Sequence, residues 1–161
     1  MRSTRRIVNV VLALTLGACS HARQTVTTVA EDTPWPTGTF SILAYDPQTG
    51  EIGGAVQSRV FSVGNGVLWA EAGVGAAATQ AIVDVSYGPQ AIAMLKEGKT
   101  PEQIVKTIWQ RDPDPDSVRW SKQGRQFAVI DAKGNVFAYT GPKATEWAGH
   151  KSCSEIGRAH V

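Results

Sequence analysis

Apolar and polar residues are grouped along the chain in a way that predicts two β-hairpins. Residues 40–44 and 51–57 are mostly apolar stretches, and the residues between them are rich in aspartate, proline, threonine and glycine. Residues 127–130 and 136–139 repeat this arrangement around a second polar turn. Short apolar stretches on both sides of such a turn are typical of paired antiparallel strands. Each pair is therefore expected to form a hairpin.

The middle of the chain predicts two more strands and two helices. Residues 67–72 and 73–81 are the strands, and the small residues of the second would let another backbone approach closely. Residues 89–98 carry an apolar stripe at helical spacing. Thr100, followed by Gln103, is a capping box that should start the second helix.

Thr39 stands out for chemistry because it directly follows Gly38 at the start of the first predicted strand. If the bond between these residues is cut, Thr39 carries a free α-amine beside its own hydroxyl, so nucleophile and general base come from one residue. Glycine before the nucleophile tolerates the strained backbone of an N-to-O acyl shift. The alternative is a β-branched residue that is simply favourable in a strand.

The predicted hairpin returns Ser58 and Arg59 to the neighbourhood of Thr39. An α-amine has an ordinary pKa of about 7.7–8.0, and a nearby cation lowers it toward the range in which the amine acts as a base. Arg59 would lower the pKa of this amine or hold an anionic group. Ser58 would help to orient the amine, so Thr39, Ser58 and Arg59 are the predicted catalytic residues.

Five short motifs occur in a fixed order between Thr39 and His150. They are TFSI at 39–42, QSR at 57–59, GVGA at 73–76 leading to ATQA at 78–81, SYGP at 86–89 and WAGH at 147–150. In this order they resemble the bacterial family known as domain of unknown function ten twenty-eight, which is similar to the N-terminal-nucleophile (Ntn) hydrolases. The resemblance implies an α+β fold, the four-layer αββα sandwich, and an amide-bond hydrolase whose substrate it does not specify.

Thr79, Gln80 and His150 are the candidate substrate-binding residues. The backbone near Thr79 and Gln80 could supply N–H groups to an oxyanion hole, although small residues at this point could equally serve only to pack a helix against the sheet. His150 could bind substrate or orient a carbonyl group. The alternative for such a histidine is a local hydrogen bond to the backbone.

Residues 1–19 predict an export signal of the lipoprotein type. A basic start is followed by a short apolar core at residues 7–16, and LGAC at 16–19 fits the site at which bacterial lipoproteins are cut and lipidated on Cys19. The apolar core is shorter than the ~20 residues of a membrane-spanning helix. The sequence therefore predicts export to the bacterial cell envelope, the periplasm, with any membrane attachment through a lipid on Cys19. A plain secretory signal cut near Ala22 is the alternative.

Residues 20–38 form a polar, threonine-rich stretch that ends in two prolines, and we interpret it as a flexible tether or pro-segment. A lipid on Cys19 and a free amine on Thr39 cannot exist on one continuous chain. The tether is therefore expected to be lost at maturation. If it is kept, Thr39 remains uncut and the proposed chemistry fails.

The predicted domain runs over residues 39–153. Residues 154–161 match none of the family's motifs, so we interpret them as a non-native tail on a chain that lacks the C-terminal part of the domain. The sandwich would then lack strands and expose a sheet edge.

Composition limits the function classes. The chain has 161 residues and a net charge of +2, so there is no electrostatic case for nucleic acid. The two cysteines and three histidines are scattered, and they predict no metal site. No motif calls for a cofactor. The expected partner is a small amide or peptide substrate, and homo-oligomerisation stays open.

The sequence therefore predicts an exported Ntn-type amidohydrolase that uses Thr39. The first alternative is a lipid-anchored binding or structural module that has this fold but no catalysis. The second is a serine or cysteine hydrolase that uses Ser41 or Cys153 with His150, although no nucleophile elbow surrounds either residue.

Overall fold

The two hairpins predicted from the sequence belong to two separate four-stranded sheets. The structure, a computed structural model, describes residues 38–146 and 148–160, the last three by their backbone alone. Its main elements are β1 (Thr39–Tyr45), β2 (Ile52–Ser58), β3 (Leu68–Glu71), β4 (Gly75–Ala81), α1 (Tyr87–Lys96), α2 (Pro101–Arg111), β5 (Arg125–Asp131), β6 (Val136–Thr140), β7 (Gly149–Cys153) and β8 (Ile156–His160). The predicted export signal, Cys19, the tether except Gly38, and Trp147 of the fifth motif lie outside the described residues.

Each strand pairing among the described residues is antiparallel. Sheet 1 has the order β2-β1-β8-β7, and sheet 2 has the order β3-β4-β5-β6. The predicted hairpins are confirmed as β1–β2 and β5–β6. Together with the two helices, the sheets make a mixed α+β fold, as predicted at this level.

The two sheets pack face to face, because β4 and β5 carry small or branched apolar residues on the face that meets sheet 1. This contact buries six apolar side chains and partly buries four more. They are Leu43, Ala76, Ala78, Ala128, Ile130 and Ala138, with Tyr45, Ile52, Leu68 and Val136 packed around them. Alternate residues of β4 point to opposite faces, so Ala77 packs on the helical side instead.

Both described helices lie on the other face of sheet 2. The apolar stripe predicted for α1 is buried at Ala91, Met94 and Leu95, and that of α2 at Ile104, Val105 and Ile108. The capping box of Thr100 and Gln103 is confirmed by both of its hydrogen bonds. Neither helix is long and apolar enough to cross a bilayer.

The C-terminal residues differ from the expectation of a tail outside the domain. Ile156–His160 forms β8, which lies between β1 and β7 in the middle of sheet 1. The predicted domain boundary at Cys153 therefore falls inside the β7–β8 hairpin. The non-native origin of residues 154–161 stays a prediction.

A buried ionic cluster joins α1, α2 and β5. The guanidinium Nε of Arg125 lies 2.7 Å from Oδ2 of Asp112, close enough for an ion pair, although the N–H is not aligned for a hydrogen bond. The Tyr87 hydroxyl donates to the same carboxylate, and Asp84 lies 3.7 Å from Arg125. Burial raises the pKa of the Tyr87 hydroxyl, and its bond to Asp112 raises that pKa further.

Burial would raise the pKa of Asp112. The hydrogen bonds from Tyr87 and the Asp114 N–H, together with the Arg125 guanidinium, outweigh burial and lower this pKa below its ordinary value of 3.8. A lowered pKa in the folded state means that the carboxylate stabilises the fold above about pH 4. That stabilisation is lost as the pH falls through the folded-state pKa.

Asp112→Asn should lower the free energy of unfolding at pH 7 by about 3 kcal/mol, since it leaves the buried Arg125 without its main counter-charge. The free energy of unfolding of the wild type should fall between pH 5 and pH 3. That of the variant should fall by less over the same range. Urea unfolding at both pH values measures this. Asp116→Asn is the control, because its ion pair with the exposed Arg119 is worth less than about 1 kcal/mol. Equal losses in both variants would contradict the assignment.

Candidate active site

The register of the β1–β2 hairpin places Ser58 directly opposite Thr39. Their hydroxyl oxygens lie 3.1 Å apart, and Ser58 Oγ also accepts a hydrogen bond of 3.0 Å from the Val60 N–H. Ser58 can therefore donate its own hydrogen to Thr39 Oγ1. In that arrangement the proton of the Thr39 hydroxyl is left free for transfer to a base.

Thr39 opens onto a cavity of about 240 Å³. Five segments of the chain meet there. They are the two ends of the first hairpin, the end of β4, the turn before β5 and the loop after β6. The lining residues are Gly38, Thr39, Ser58, Arg59, Val60, Ala81, Ile82, Gly124, Lys143, Ala144 and Thr145. The prediction that the hairpin brings Ser58 and Arg59 to Thr39 is confirmed in its geometry, while their catalytic roles stay predictions.

The lining residue Ala81 has a strained backbone. Its φ is +67°, in the left-handed region that residues with a Cβ rarely adopt. Such strain costs of the order of 1–2 kcal/mol and is concentrated at functional sites. Here it turns the chain out of β4 so that Ala81 and Ile82 form one wall of the cavity.

A chain of hydrogen bonds leads from Thr39 across both sheets. The Gln80 amide donates to the Thr39 carbonyl at 3.2 Å and to Gln126 Oε1 at 2.5 Å. Gln126 in turn donates to Thr140 Oγ1, which lies 2.8 Å from His150 Nδ1. Gln80 and Gln126 are each only 1% exposed. Buried amides with these partners hold the backbone of Thr39 in place.

None of the three predicted substrate-binding residues lines the Thr39 cavity. Gln80 lies behind Thr39, and His150 is exposed on β7. Thr79 is buried and donates its hydroxyl to the Gly66 carbonyl. The Thr79 N–H donates to Val67, so the expected oxyanion donor at this position is already engaged. Substrate binding by these residues stays a prediction.

The alternative nucleophiles have no suitable partner in the part of the chain that the structure describes. Ser41 is 1% exposed. Cys153 is exposed at the end of β7, three residues from His150, so the two side chains point to opposite faces of the strand. Among residues 38–146 and 148–160, no three potential ligands are grouped to hold a metal ion.

The model for a family of unknown function (DUF1028) matches residues 39–157. The chain belongs to this family. Its match begins at Thr39 and extends to Gly157, so it includes the start of β8.

A solved structure of the same family is similar in fold. It is the crystal structure of protein SPO2555 from Silicibacter pomeroyi, with a TM-score of 0.69 and 31% sequence identity. The alignment covers 76% of this chain and 54% of that one, so the chain spans about half the length of its DUF1028 neighbour. No curated protein matches the chain.

Sequence reasoning did not assign seven of the lining residues to the site. They are Val60, Ala81, Ile82, Gly124, Lys143, Ala144 and Thr145. Ala81 looks like an ordinary strand residue in the sequence. Lys143 is more than eighty residues from Arg59, so only the folded sheets bring it to the cavity. The turn sequence Gly141-Pro142 before Lys143 is the one local signal that could have drawn attention to this loop.

Ala81→Gly should raise the free energy of unfolding by about 1 kcal/mol, because glycine adopts a positive φ without strain. The matched control is Ala77→Gly in the same strand. It should lower stability by about 1 kcal/mol, since Ala77 is fully buried in a regular strand. Thermal unfolding of both variants measures the difference. A loss of stability in both would contradict the strain assigned to Ala81.

Proposed function

We propose that this protein is an exported Ntn-type amidohydrolase in which Thr39 becomes the N-terminal nucleophile after cleavage of the Gly38–Thr39 bond. One observation carries the proposal: the Thr39 hydroxyl, bonded to Ser58, opens onto a cavity that Arg59 also lines. A nucleophile, a hydroxyl that orients it and a nearby cation are the parts that such a mechanism needs.

In the first chemical step, Thr39 Oγ1 attacks the carbonyl carbon of the substrate amide. The hydroxyl proton passes to the α-amine of Thr39, and the resulting ammonium gives it to the leaving nitrogen as the C–N bond breaks. An ester on Thr39 remains. The α-amine then takes a proton from a water molecule, which attacks the ester carbon. The ammonium gives this proton to Thr39 Oγ1 as the ester bond breaks, so the acid is released and the hydroxyl is restored.

The cation has a defined part in this scheme. A positive charge near the α-amine of Thr39 lowers its pKa, so more of the amine is neutral at pH 7 and able to take the proton. Arg59 is exposed and lines the cavity from the end of the hairpin. Arg59 would therefore act on the amine through its charge, and it would neither attack the substrate nor transfer a proton.

The fold supports the same proposal. Two antiparallel sheets face each other, with two helices on the outer face of sheet 2. These layers correspond to three of the four in an αββα sandwich. We propose that the outer face of sheet 1 is covered by helices in a longer relative, as the 54% coverage of the DUF1028 neighbour allows.

The proposal includes export to the cell envelope, because residues 1–19 are the predicted export signal. A lipid on Cys19 would hold the precursor at the membrane until cleavage at Gly38–Thr39 releases the enzyme to the periplasm. The start of the family match at Thr39 supports this residue as the first of the functional domain.

Expression of the full-length chain tests the processing step. The mature wild-type protein should begin at Thr39, whereas Thr39→Ala should retain the residues before it, because it has no hydroxyl for the N-to-O shift. Intact mass and N-terminal sequencing measure both. Thr37→Ala is the matched control, and it should be processed like the wild type.

A mature wild-type protein that keeps a lipidated Cys19 and an intact Gly38–Thr39 bond would reject the hydrolase. The result would favour the anchored binding or structural module, which needs neither a free amine nor cleavage.

Ser58→Ala should slow processing at Thr39 by about 10–100-fold, because the nucleophile loses the hydroxyl that positions it. The rate can be followed by mass spectrometry of the purified precursor. Ser62→Ala, in an exposed turn where this hydroxyl caps nothing, provides the control. Processing of Ser58→Ala at the wild-type rate would remove Ser58 from the site.

A further inference from the structure

The cavity in front of Thr39 is lined by two cations and, among the described residues, by no carboxylate. Arg59 comes from the end of the first hairpin, and Lys143 comes from the loop after β6. Neither side chain has an ion pair or hydrogen bond within the described residues. By contrast, Lys96, Lys99 and Lys106 are each paired with a glutamate.

Lys143 is held at the cavity by its loop. The Lys143 N–H donates to the Gln123 carbonyl at 2.9 Å, and the Gly141 N–H donates to the Arg125 carbonyl at 2.9 Å. A Cβ at Gly141 would lie 2.0 Å from the Gln123 oxygen, so only glycine permits this close approach. Backbone hydrogen bonds between two neighbouring turns therefore fix the position of the Lys143 backbone.

The rest of the lining is mainly apolar or uncharged. Val60, Ala81, Ile82 and Ala144 are its apolar side chains, and Gly124 allows a close approach to Ile82. The volume of about 240 Å³ equals roughly eight water molecules and is below the usual range of drug-sized ligand sites. The cavity thus fits a small group with an apolar part and one negative charge.

We propose that Arg59 and Lys143 together bind a carboxylate of the substrate beside the bond that Thr39 cleaves. The substrate class is then an N-acyl amino acid, or a peptide cut at the bond next to its terminal carboxylate. This inference rests on the proposed function, since it names the substrate of that site. Arg and Lys both form charge-assisted hydrogen bonds with carboxylates, and two cations from different loops fix the position of the anion.

For N-acetylalanine the reaction balances with one water molecule. Thr39 Oγ1 bonds to the acetyl carbon, and the C–N bond breaks as the nitrogen takes the proton from the Thr39 ammonium. Alanine leaves with its carboxylate. Water then cleaves the acetyl ester, which releases acetate and restores the Thr39 hydroxyl.

The test is a binding measurement on the full-length Thr39→Ala protein, which cannot turn substrate over. The probes are N-acetylalanine and N-acetylleucine, each compared with its neutral carboxamide of the same shape. Isothermal titration at low salt should give a Kd at least tenfold lower for each acid than for its amide. The preference should decrease at 1 M salt, because ions screen exposed charges.

Adding Lys143→Gln, and separately Arg59→Gln, should reduce the preference for the acid to less than threefold. Lys133→Gln is the matched control, because Lys133 is exposed in the turn between β5 and β6. This substitution removes the same charge as each of the cavity variants. It should keep the full preference. Circular dichroism of each variant shows that a lost preference does not come from a lost fold.

Equal affinity for acid and amide, no measurable binding of either acid, or a preference that survives in both cavity variants would overturn the inference. Failure of the proposed function has a different signature. If the wild type keeps Gly38–Thr39 intact and hydrolyses neither acid, while the binding preference depends on Lys143, the carboxylate site is retained in a protein that only binds.

Discussion

The register between β1 and β2 is the constraint on which the site depends. Thr39, Ser41 and Leu43 lie on the same face of β1, because alternate residues of a strand share a face. Leu43 belongs to the core between the sheets, and Ser41 is equally buried. A slip of one residue would move Leu43 out of the core and Thr39 away from Ser58. The packing of the sandwich therefore fixes the register that brings the two hydroxyl groups within hydrogen-bond distance of each other.

At the same end of the sandwich the core changes from apolar to polar. On the face of β4 that meets sheet 1, Ala76 and Ala78 are followed by Gln80. A buried amide lowers stability unless it is hydrogen-bonded, and the two donor hydrogens of Gln80 are used on Thr39 and Gln126. Its Oε1 is buried and has no hydrogen-bond partner among the described residues. The fold thus gives up apolar packing at this point and gains a fixed backbone for the candidate nucleophile.

The sequence could predict those contacts that are made between residues close together in the chain. The turn between β1 and β2 sets which residues face each other, so Ser58 beside Thr39 was predictable, as was the capping box of Thr100. The place of β8 was not, because residues 156–160 include Gly157 and Arg158 and show no clear alternation. Lys143 reaches the cavity only through the pairing of β5 with β6 and the close approach at Gly141. For Thr79 and Gln80, strand alternation already implied that both could not face one cavity.

The two proposals, taken together, make the effect of the cations on the Thr39 α-amine depend on whether a substrate carboxylate is bound between them. In the proposed mechanism, Arg59 and Lys143 would lower the pKa of the Thr39 α-amine before substrate binds and so favour its neutral form as a base. A bound carboxylate offsets their charge, which favours the ammonium that must protonate the leaving nitrogen. The carboxylate departs with that leaving group, so both cations again favour the neutral amine. This is the form needed to activate water, because hydrolysis of the ester requires a base.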